Sequence, residues 1–305
     1  MLLSEILKDM DYPENYEIPV DNSFEVLALT ASVITAPSCI FLDSEKYLDD
    51  IKENMEMICC TENVAAKLME RGWKKGICIT ENPRIMFFMV HNFLSENNSY
   101  PYQRKQFKTK IGANCKIHES ASISENNVVI GDNVVIEEFV VIRENTVIGD
   151  NTIIRAGAKI GGTGFEFKRV DNEILSVKHA GGVSIGKNVE IQYNTCIDRA
   201  VYPWDDTMIG DFSKIDNLVH IGHAVKVAEN VLIVAQSGIG GRTHICSNSW
   251  IGFASTVSNG LMVGKESRVN IGSVATKNVE DYGSVTGNFA IDHAKFIRNL
   301  KKMNE

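Results

Sequence analysis

An aliphatic residue recurs at every sixth position from Ile111 onward, and the longest unbroken run passes through eleven hexads from Ile209 to Val269. An amphipathic helix repeats every 3.6 residues and a half-buried strand every two, so neither sustains a period of six. A coil of three short strands does, because each hexad forms one face and each turn points three aliphatic side chains inward. The sequence therefore predicts a parallel β-helix whose stacked turns bury one continuous apolar column.

The residue after the aliphatic position is often glycine, followed by an Asp-Asn or Lys-Asn pair, as in residues 130–133 and 185–188. Glycine and asparagine tolerate the left-handed backbone that tight corners need. A β-sandwich is the alternative architecture, but its turns come at irregular intervals and its strands alternate with a period of two. The regular spacing favours the β-helix.

The period is interrupted twice. Residues 161–184 hold a long insertion that begins Gly-Gly-Thr-Gly-Phe-Glu-Phe, and residues 199–207 contain Tyr202, Pro203 and Trp204 in place of one hexad. Binding groups are often carried on loops that a rigid scaffold positions. Both insertions are therefore predicted to contribute to a binding site.

Three segments are expected along the chain. Residues 1–105 do not follow the period and are predicted to form a small α/β domain, with strands near 56–60 and 76–79, a helix near 63–71, and a second helix that begins at Asn82-Pro83. Residues 106–288 are predicted to form the β-helix. Residues 289–305 are predicted to carry a short basic helix over 293–303.

Composition excludes several classes of protein. The net charge of −8 argues against nucleic-acid binding, which needs a basic face. No apolar run approaches the ~20 residues of a membrane-spanning helix, and the N-terminus shows no signal-peptide pattern, so a cytoplasmic protein is expected. The seven cysteines are odd in number and lack the paired spacing of zinc ligands. We expect reduced thiols and no metal site.

Five motifs in the chain form a specific set: Phe-Leu-Asp-Ser-Glu-Lys-Tyr at 41–47, Ile-Gly-Gly-Thr-Gly-Phe-Glu-Phe at 160–167, Cys-Ile-Asp-Arg at 196–199, Ile-Asp-Asn-Leu-Val-His-Ile-Gly-His at 215–223, and Gly-Ile-Gly-Gly at 238–241. Together they resemble the UDP-3-O-acylglucosamine N-acyltransferases of lipid A (lipopolysaccharide) biosynthesis, which are hexapeptide-repeat acyltransferases. The resemblance extends over the whole chain. It implies a left-handed parallel β-helix, a homotrimer with active sites between neighbouring β-helices, and acyl transfer from a thioester to the amine of a nucleotide-linked amino sugar.

His223 matches the catalytic histidine of that family. An amine that attacks a thioester needs a base for its proton and a donor for the developing oxyanion, and histidine is the natural base near neutral pH. One coil takes about eighteen residues, so Gly241 should stack beside His223, and the resemblance implies that its N–H serves as the oxyanion donor. The alternative is that His223 is a solvated corner residue.

The resemblance also implies substrate-binding residues. Phe41 and Tyr47 match the two aromatic residues that sandwich uracil in the family, so the first domain is expected to bind a uridine-like nucleotide; the alternative is that both belong to the core of that domain. Phe165 and Phe167 match an insertion near the sugar and acyl sites, or they pin the insertion to the coil.

Polar residues near His223 are expected to have several roles. Asn217 and His220 are expected to contact substrate, although His220 is as readily a polar surface residue. Asp198 and Asp216 lie 18 residues apart, and this spacing predicts equivalent positions on successive coils. Either carboxylate could orient an imidazole. The alternative, which we favour for both, is that they accept hydrogen bonds from backbone N–H groups at the corners.

The sequence also departs from the family. The second active-site histidine of the family falls here at Gly260, Ser44 replaces an asparagine of the uracil site, and the insertion after Arg199 is longer. These changes favour altered substrate recognition, with a short acyl group from acetyl coenzyme A passed to an amino sugar of O-antigen or capsule. Lipid A synthesis with an acyl carrier protein donor is the alternative. In both cases the donor is a co-substrate and no tightly bound cofactor is expected.

Three other classes of function remain as alternatives. A non-catalytic trimeric sugar-nucleotide-binding scaffold would keep the coil but has no reason to place His223 beside Gly241. A nucleotidyltransferase would need a glycine-rich loop in residues 1–105, which contain only Gly72 and Gly76. A β-helical carbonic anhydrase would need three histidines converging on a zinc ion.

Overall fold

The computed structural model describes residues 1–102, 104–287 and 290–303. The chain divides into two compact units, and the two insertions that the broken period predicts belong to the first of them. Unit 1 comprises Met1–Phe107, Thr163–Gly182 and Arg199–Asp206, and unit 2 comprises Lys108–Gly162, Val183–Asp198 and Thr207–Glu305.

Unit 2 is a coil of short parallel strands that stack into three sheets. Consecutive strands pass from one sheet to the next, so that Ile221 pairs with Ile239 and Ile239 pairs with Val257, each 18 residues further on. This register is the one that the hexad period predicts, and the parallel β-helix is confirmed for the described residues.

The strands of the coil are mostly two residues long, and the sheets are numbered here by the order in which one turn of the chain visits them from Lys116. Sheet 1 contains Lys116–Ile117, Val135–Ile136, Ile153–Ile154, Glu190–Ile191, Lys214–Ile215, Leu232–Ile233, Trp250–Ile251, Arg268–Val269 and Ser284–Val285. Sheet 2 contains Ser122–Ile123, Val141–Ile142, Lys159–Gly162, Cys196–Asp198, His220–Ile221, Gly238–Ile239, Thr256–Val257 and Val274–Ala275. Sheet 3 contains Lys110–Ile111, Val128–Ile130, Thr146–Ile148, Gly182–Ile185, Asp206–Ile209, Lys226–Val227, His244–Ile245 and Met262–Val263.

The aliphatic residue of each hexad lies inside the coil. Ile215, Ile233 and Ile251 stack in sheet 1 with at most 1% of their surface exposed, and the other two sheets contribute similar columns to one continuous core. Burying one such side chain contributes about 1.5–3 kcal/mol. The interior column is therefore the main source of stability in this unit.

The corners use left-handed backbone, as the glycine and asparagine pattern predicts. Asn133, Asn151 and Asn188 have φ of 56°, 56° and 55°. Phe139 and Leu218 adopt the same conformation with φ of 58° and 57°, and their side chains point to solvent. Larger residues at corners cost roughly 1–2 kcal/mol each, so the coil imposes this geometry even where the sequence does not favour it.

Unit 1 contains a five-stranded sheet flanked by helices. The strands are β1 (Tyr16–Val20), β2 (Val26–Leu27), β3 (Ser38–Leu42), β4 (Met55–Cys60) and β5 (Gly76–Thr80), in the spatial order β1-β5-β4-β3-β2 with β1 antiparallel to β5. The helices are α1 (Leu3–Asp9), a short 3-10 helix (Glu45–Asp50), α2 (Glu62–Glu70) and α3 (Pro83–Glu96), and a hairpin pairs Phe167–Val170 with Glu173–Ser176. The predicted strands and helices of this part of the chain are confirmed, although Asn82 makes no side-chain cap bond to α3.

Both insertions supply core residues to unit 1. The indole N–H of Trp204 donates to the carbonyl of Leu27 at 2.9 Å, and the Tyr202 and Trp204 rings stack with centroids 5.5 Å apart. His91 contacts the carbonyl of Lys178 through Nε2 at 2.9 Å. The insertions are therefore structural parts of this unit as well as candidate binding elements.

The C-terminal helix α4 spans His293–Met303, as the sequence predicts, and it buries none of its described side chains. The sequence predicts this helix within residues 289–305, of which residues 289, 304 and 305 lie outside the described part of the chain.

Candidate active site

His223 lies at the corner between sheets 2 and 3, two residues after the core residue Ile221. It is only 7% exposed. The next residue, Ala224, has φ of 58°, and its N–H donates to Thr207 Oγ1 at 2.8 Å. His223 is thus held inside the corner by a fixed backbone and is not a solvated residue.

Gly241 occupies the same corner one coil later. The N–H of Arg242 donates to the carbonyl of His223 at 2.8 Å, which ties the two corners together. A Cβ atom placed on Gly241 would lie 2.6 Å from Nε2 and 2.8 Å from Cε1 of His223. The imidazole therefore lies against bare backbone, and the expected stacking of Gly241 beside His223 is confirmed.

The backbone N–H of Gly241 is chemically suited to an oxyanion. Within the described residues it donates no hydrogen bond, whereas the neighbouring N–H of Gly240 donates to the carbonyl of Val257 at 2.8 Å. An imidazole and an uncommitted N–H side by side are the two groups that attack on a thioester requires. The catalytic roles of His223 and Gly241 stay predictions.

Asp198 and His220 lie beside this corner on sheet 2. The carboxylate Oδ2 of Asp198 is 3.7 Å from Nε2 of His220, and the side chains are 13% and 56% exposed. Burial raises the pKa of Asp198, while the positive charges of His220 and His223 oppose that shift. The structure thus brings the predicted residue His220 and the carboxylate of Asp198 together.

Asp216 and Asn217 lie elsewhere on the coil. Asp216 follows Ile215 in sheet 1, and its carboxylate accepts the N–H groups of Asn217 at 2.7 Å and Ala235 at 3.0 Å. The side-chain oxygen of Asn217 accepts the N–H of Tyr193 at 3.1 Å. Both residues serve the corner between sheets 1 and 2, so the expected equivalence of Asp216 with Asp198 in sheet 2 is wrong. The expected substrate contact of Asn217 stays a prediction.

Gly260, where the family has a second histidine, lies two coils after His223. It has φ of 71°, and a Cβ atom there would meet nothing within 4 Å. A side chain would have room at this corner, but the left-handed backbone favours glycine.

Phe41 and Tyr47 pack against different apolar clusters of unit 1. The Phe41 ring lies 5.1 Å from that of Phe87, while Tyr47 packs against the cluster on the other helix layer. Both side chains are half-buried, and the Arg84 guanidinium lies 5.5 Å from the Phe41 ring. Each ring therefore retains exposed surface, and the uracil sandwich stays a prediction.

Phe165 and Phe167 project from the insertion hairpin of unit 1. Their rings contact each other edge-on with centroids 4.8 Å apart, and Phe165 is 86% exposed. Glu166, which lies between the two phenylalanines in the sequence, forms an ion pair with Lys168. The Lys168 ammonium also lies 4.5 Å from the buried Phe88 ring. The charged pair anchors the hairpin to unit 1, and the aromatic pair faces solvent.

Sequence reasoning missed the packing of the second insertion. The contacts of Tyr202 with His91, at 5.3 Å between ring centroids, could not be read from spacing because the residues are more than a hundred positions apart. Across the described residues, no group of three or more His, Cys, Asp or Glu side chains is placed to hold a metal ion. None of the described helices has the length and hydropathy required to span a bilayer.

A family model described as bacterial transferase hexapeptide (six repeats) matches residues 127–162. The repeats within residues 127–162 are thus similar to bacterial transferase hexapeptide repeats. Among solved structures, the UDP-N-acetylglucosamine acyltransferase from Campylobacter jejuni aligns with a TM-score of 0.53 and 21% identity, over 64% of this chain and 79% of that chain. The left-handed parallel β-helix expected for a hexapeptide-repeat protein is confirmed.

Several curated relatives are named UDP-3-O-acylglucosamine N-acyltransferases. The UDP-3-O-acylglucosamine N-acyltransferase of Delftia acidovorans is 32% identical over 151 residues, which is 49% of this chain and 44% of that protein. UDP-3-O-acylglucosamine N-acyltransferase 2 of Legionella pneumophila is 50% identical over 91 residues, 30% of this chain and 26% of that protein. The matches span less than half the length of these relatives. The resemblance inferred from the hexapeptide motifs is confirmed.

Proposed function

We propose that this chain is an N-acyltransferase that moves an acyl group from a thioester to the amine of a nucleotide-linked amino sugar. The observation that carries the proposal is the buried imidazole of His223 lying against the bare backbone of Gly241. Neither a scaffold nor a sugar-nucleotide-binding protein needs that pair.

The reaction needs two proton transfers. His223 takes a proton from the amine as its nitrogen attacks the thioester carbonyl, and the imidazolium returns the proton to the departing thiolate. The N–H of Gly241 donates to the oxyanion that forms in between, and a preorganised donor of this kind typically contributes about 3–4 kcal/mol. Burial of the corner strengthens both interactions because fewer water molecules compete.

The acceptor that we favour is a UDP-linked 3-O-acylglucosamine. The names of the curated relatives support this acceptor over a short-acyl reaction on another sugar. In this proposal Phe41 and Tyr47 cover the uracil ring, Phe165 and Phe167 contact the acyl chain, and His220 and Asn217 contact the sugar. The donor is an acyl carrier protein thioester.

A short acyl group from acetyl coenzyme A is the second candidate. Gly260 in place of the family's second histidine and Ser44 in place of an asparagine favour it, because the resemblance places both positions in substrate recognition. Under this alternative the acceptor is an amino sugar of O-antigen or capsule.

The test is a thiol-release assay in which purified protein is offered acetyl coenzyme A or a 3-hydroxyacyl carrier protein with UDP- and dTDP-linked amino sugars. We expect turnover with the carrier protein and UDP-3-O-acylglucosamine. Turnover with acetyl coenzyme A alone would favour the second candidate. His223→Ala should reduce turnover roughly 10²–10⁴-fold, and a folded variant at wild-type rate would contradict the proposal.

We also propose that the active form is a homotrimer. The exposed apolar side chains of Leu218, Phe253 and Ile271, all at the corner between sheets 1 and 2, support a self-association surface. Sedimentation equilibrium should give three times the 33.8 kDa chain mass. A monomer with full thiol-release activity would contradict the trimer and leave the chemistry intact.

A further inference from the structure

Successive corners of the coil are joined by a recurring backbone hydrogen bond. The N–H of a corner residue with left-handed backbone donates to the carbonyl of the residue that precedes the left-handed position one coil earlier. Examples are the bonds from Leu218 to Tyr193 at 3.0 Å, from Gln236 to Asn217 at 3.0 Å, from Arg242 to His223 at 2.8 Å and from Gly260 to Gly241 at 2.9 Å. The bond therefore requires an ordinary corner in the preceding coil.

Ala224, the left-handed residue directly after His223, is bonded differently. One coil earlier the chain leaves unit 2 after Asp198 and re-enters it at Thr207, with residues 199–206 belonging to unit 1. The N–H of Ala224 donates to the side-chain oxygen Oγ1 of Thr207 at 2.8 Å. At the corner that carries the proposed base, a hydroxyl therefore takes the place of the usual backbone carbonyl.

The bond that Thr207 accepts also differs from those of other buried hydroxyls in the coil. The hydroxyls of Thr152, Thr195 and Ser213 accept the N–H groups of Val189 at 3.2 Å, Val219 at 3.2 Å and Val231 at 3.1 Å. Each of those donors comes one residue after a left-handed residue. Thr207, which is fully buried, accepts the N–H of the left-handed residue itself. Its hydroxyl is thus shifted by one residue towards His223.

The peptide group between His223 and Ala224 is held from both sides. Its N–H bonds to Thr207 on the preceding coil, and its carbonyl accepts the N–H of Arg242 on the following coil, each at 2.8 Å. Because a peptide group is planar, its orientation sets ψ of His223 and φ of Ala224. The φ of 58° at Ala224 is unfavourable for a residue with a Cβ atom. The backbone therefore relaxes if one of the two bonds is lost.

We propose that Thr207 is a positioning residue, whose hydroxyl keeps the His223 imidazole against Gly241 by fixing this peptide group. Without the hydroxyl, Ala224 leaves the left-handed conformation, the side chain of His223 turns with its backbone, and the ring moves away from Gly241. Thr207 takes no part in the proton transfers. The inference rests on the proposed function for its effect on turnover, whereas the position of the imidazole can be tested without substrate.

The substrate-free test is labelling with diethyl pyrocarbonate, which modifies accessible imidazoles. His223 is 7% exposed, while the side chain of His220 is 56% exposed, and both lie in the tryptic peptide 215–226. Fragment-ion mass spectrometry of that peptide gives the labelling rate of His223 relative to His220. In Thr207→Val, which keeps the size of the side chain and removes the hydroxyl, this ratio should rise several-fold.

Thr152→Val is the matched control for the labelling. It removes a buried hydroxyl that accepts the N–H of Val189 at another corner, so the ratio should stay at the wild-type value. An unchanged ratio in folded Thr207→Val, or an equal rise in both variants, would overturn the proposal.

The kinetic test separates positioning from general stability. In Thr207→Val kcat should fall about 10²-fold, the usual effect of misplacing a reacting group by roughly 1 Å, with little change in KM. Thr207→Ser, which keeps the hydroxyl, should retain most of kcat. Thr152→Val should lower the melting temperature and leave kcat unchanged. A Thr207→Ser variant as slow as Thr207→Val would show that the hydroxyl does not position His223, and the proposal would fail.

The two proposals fail separately. If the wild-type protein releases no thiol with any donor and acceptor, the proposed function fails, and the labelling of His223 still decides whether Thr207 holds it. If turnover depends on His223 but neither the labelling ratio nor kcat responds to Thr207→Val, the role of Thr207 fails and the function stands.

Discussion

The contact between Gly241 and His223 fixes the candidate site most tightly at the level of single residues. A Cβ atom at Gly241 would lie 2.6 Å from the imidazole, closer than real Cβ atoms approach their neighbours. Because the flanking strands are locked in register, the side chain must yield and the backbone cannot. A small change at this residue should therefore displace the proposed base.

Gly241→Ala is expected to reduce turnover by about 10²-fold, the usual effect of misplacing a reacting group by roughly 1 Å. The matched control is Gly238→Ala on the same coil, because a Cβ atom there meets nothing within 4 Å. Thiol-release rates and melting temperatures of both variants would be measured. Equal rates for the two variants would show that the imidazole does not need its present position.

Burial of His91 predicts that the folded protein is less stable in acid. It is fully buried, Nε2 bonds the carbonyl of Lys178, and Nδ1 is 2.6 Å from Tyr100 Oη. Burial lowers the pKa of His91 from 6.5 to about 4. Between pH 6.5 and pH 4, His91 is protonated in the unfolded chain but neutral in the folded chain. The free energy of unfolding is therefore highest above pH 6.5 and falls as the pH decreases towards 4.

The loss from His91 over that window should be about 3 kcal/mol. Urea unfolding followed by circular dichroism at pH 7.5 and pH 4.5 would measure it. His91→Gln, which keeps a side-chain N–H donor and does not titrate, should be less stable at pH 7.5 but lose less stability on acidification. The prediction fails if both proteins show the same pH dependence.

At the level of elements, small hydroxyl residues line the inside of the corners. Ser249 is 1% exposed, and its hydroxyl lies 2.7 Å from the carbonyls of both Cys246 and Gly264 in successive coils. One hydroxyl has one proton, so it serves the two buried acceptors in turn or as a shared bond. Such residues connect neighbouring turns where the strands are too short to do so.

Ser249→Ala should destabilise the protein by about 1–3 kcal/mol because it leaves the Cys246 carbonyl without this donor and the Gly264 carbonyl with only the Ser267 hydroxyl. Ser258→Ala is the matched control, since that hydroxyl is part-exposed and its hydrogen-bond partner among the described residues is Asn259 at 3.4 Å. Chemical unfolding of both variants gives the comparison. A Ser249→Ala variant as stable as the control would mean that water or backbone shifts satisfy those carbonyls.

The insertion hairpin provides a test of function that does not disturb its fold. Because the Phe165 side chain is exposed and packs only edge-on against Phe167, Phe165→Ala should leave the melting temperature nearly unchanged. If the ring contacts the acyl chain, KM for a long-chain donor should rise several-fold and KM for acetyl coenzyme A should not. An unchanged KM for both donors would remove Phe165 from the proposed site.

The hexad period predicted the strands and corners of unit 2 because one residue in six must face the core. It failed where the chain leaves the coil. Asp198 and Asp216 are 18 residues apart, which is one nominal turn. Asp198 nevertheless ends a strand of sheet 2, whereas Asp216 follows a strand of sheet 1. The segment after Asp198 adds the length of a hexad without adding a face, so the paired residues Ile197 and Ile221 are 24 positions apart. Counting along the sequence cannot distinguish a face from an insertion of equal length.

At the level of the whole molecule, unit 1 is assembled from three separate stretches of chain. Val177, Val201 and Tyr202 from the insertions lie in the same apolar cluster as Phe87 and the other core residues of the first stretch. The packing of these distant residues has no sequence signal, because it depends on tertiary contacts rather than on periodicity. The segment 1–107 alone would expose that cluster and lose the bond from Trp204 to Leu27.

A fragment of residues 1–107 is therefore expected to remain unfolded or molten. Removal of several large buried side chains costs roughly 3–5 kcal/mol for each aromatic ring, which approaches the whole stability of a small domain. Dispersion of amide resonances in an NMR spectrum would measure folding, with the full-length protein as the control. A well-dispersed fragment spectrum would show that the first stretch is an independent domain.

The assembly of unit 1 from three stretches of chain also delays the completion of its fold during biosynthesis. A ribosome that has finished residue 107 must continue to residue 206 before the last stretch exists. At about 5–20 residues per second this takes on the order of 5–20 s. During that interval the apolar surface around Phe87 has no final partner, while early turns of the coil already have theirs. Nascent chains should therefore depend on chaperones in this window, and slow codons between the two insertions should lengthen it.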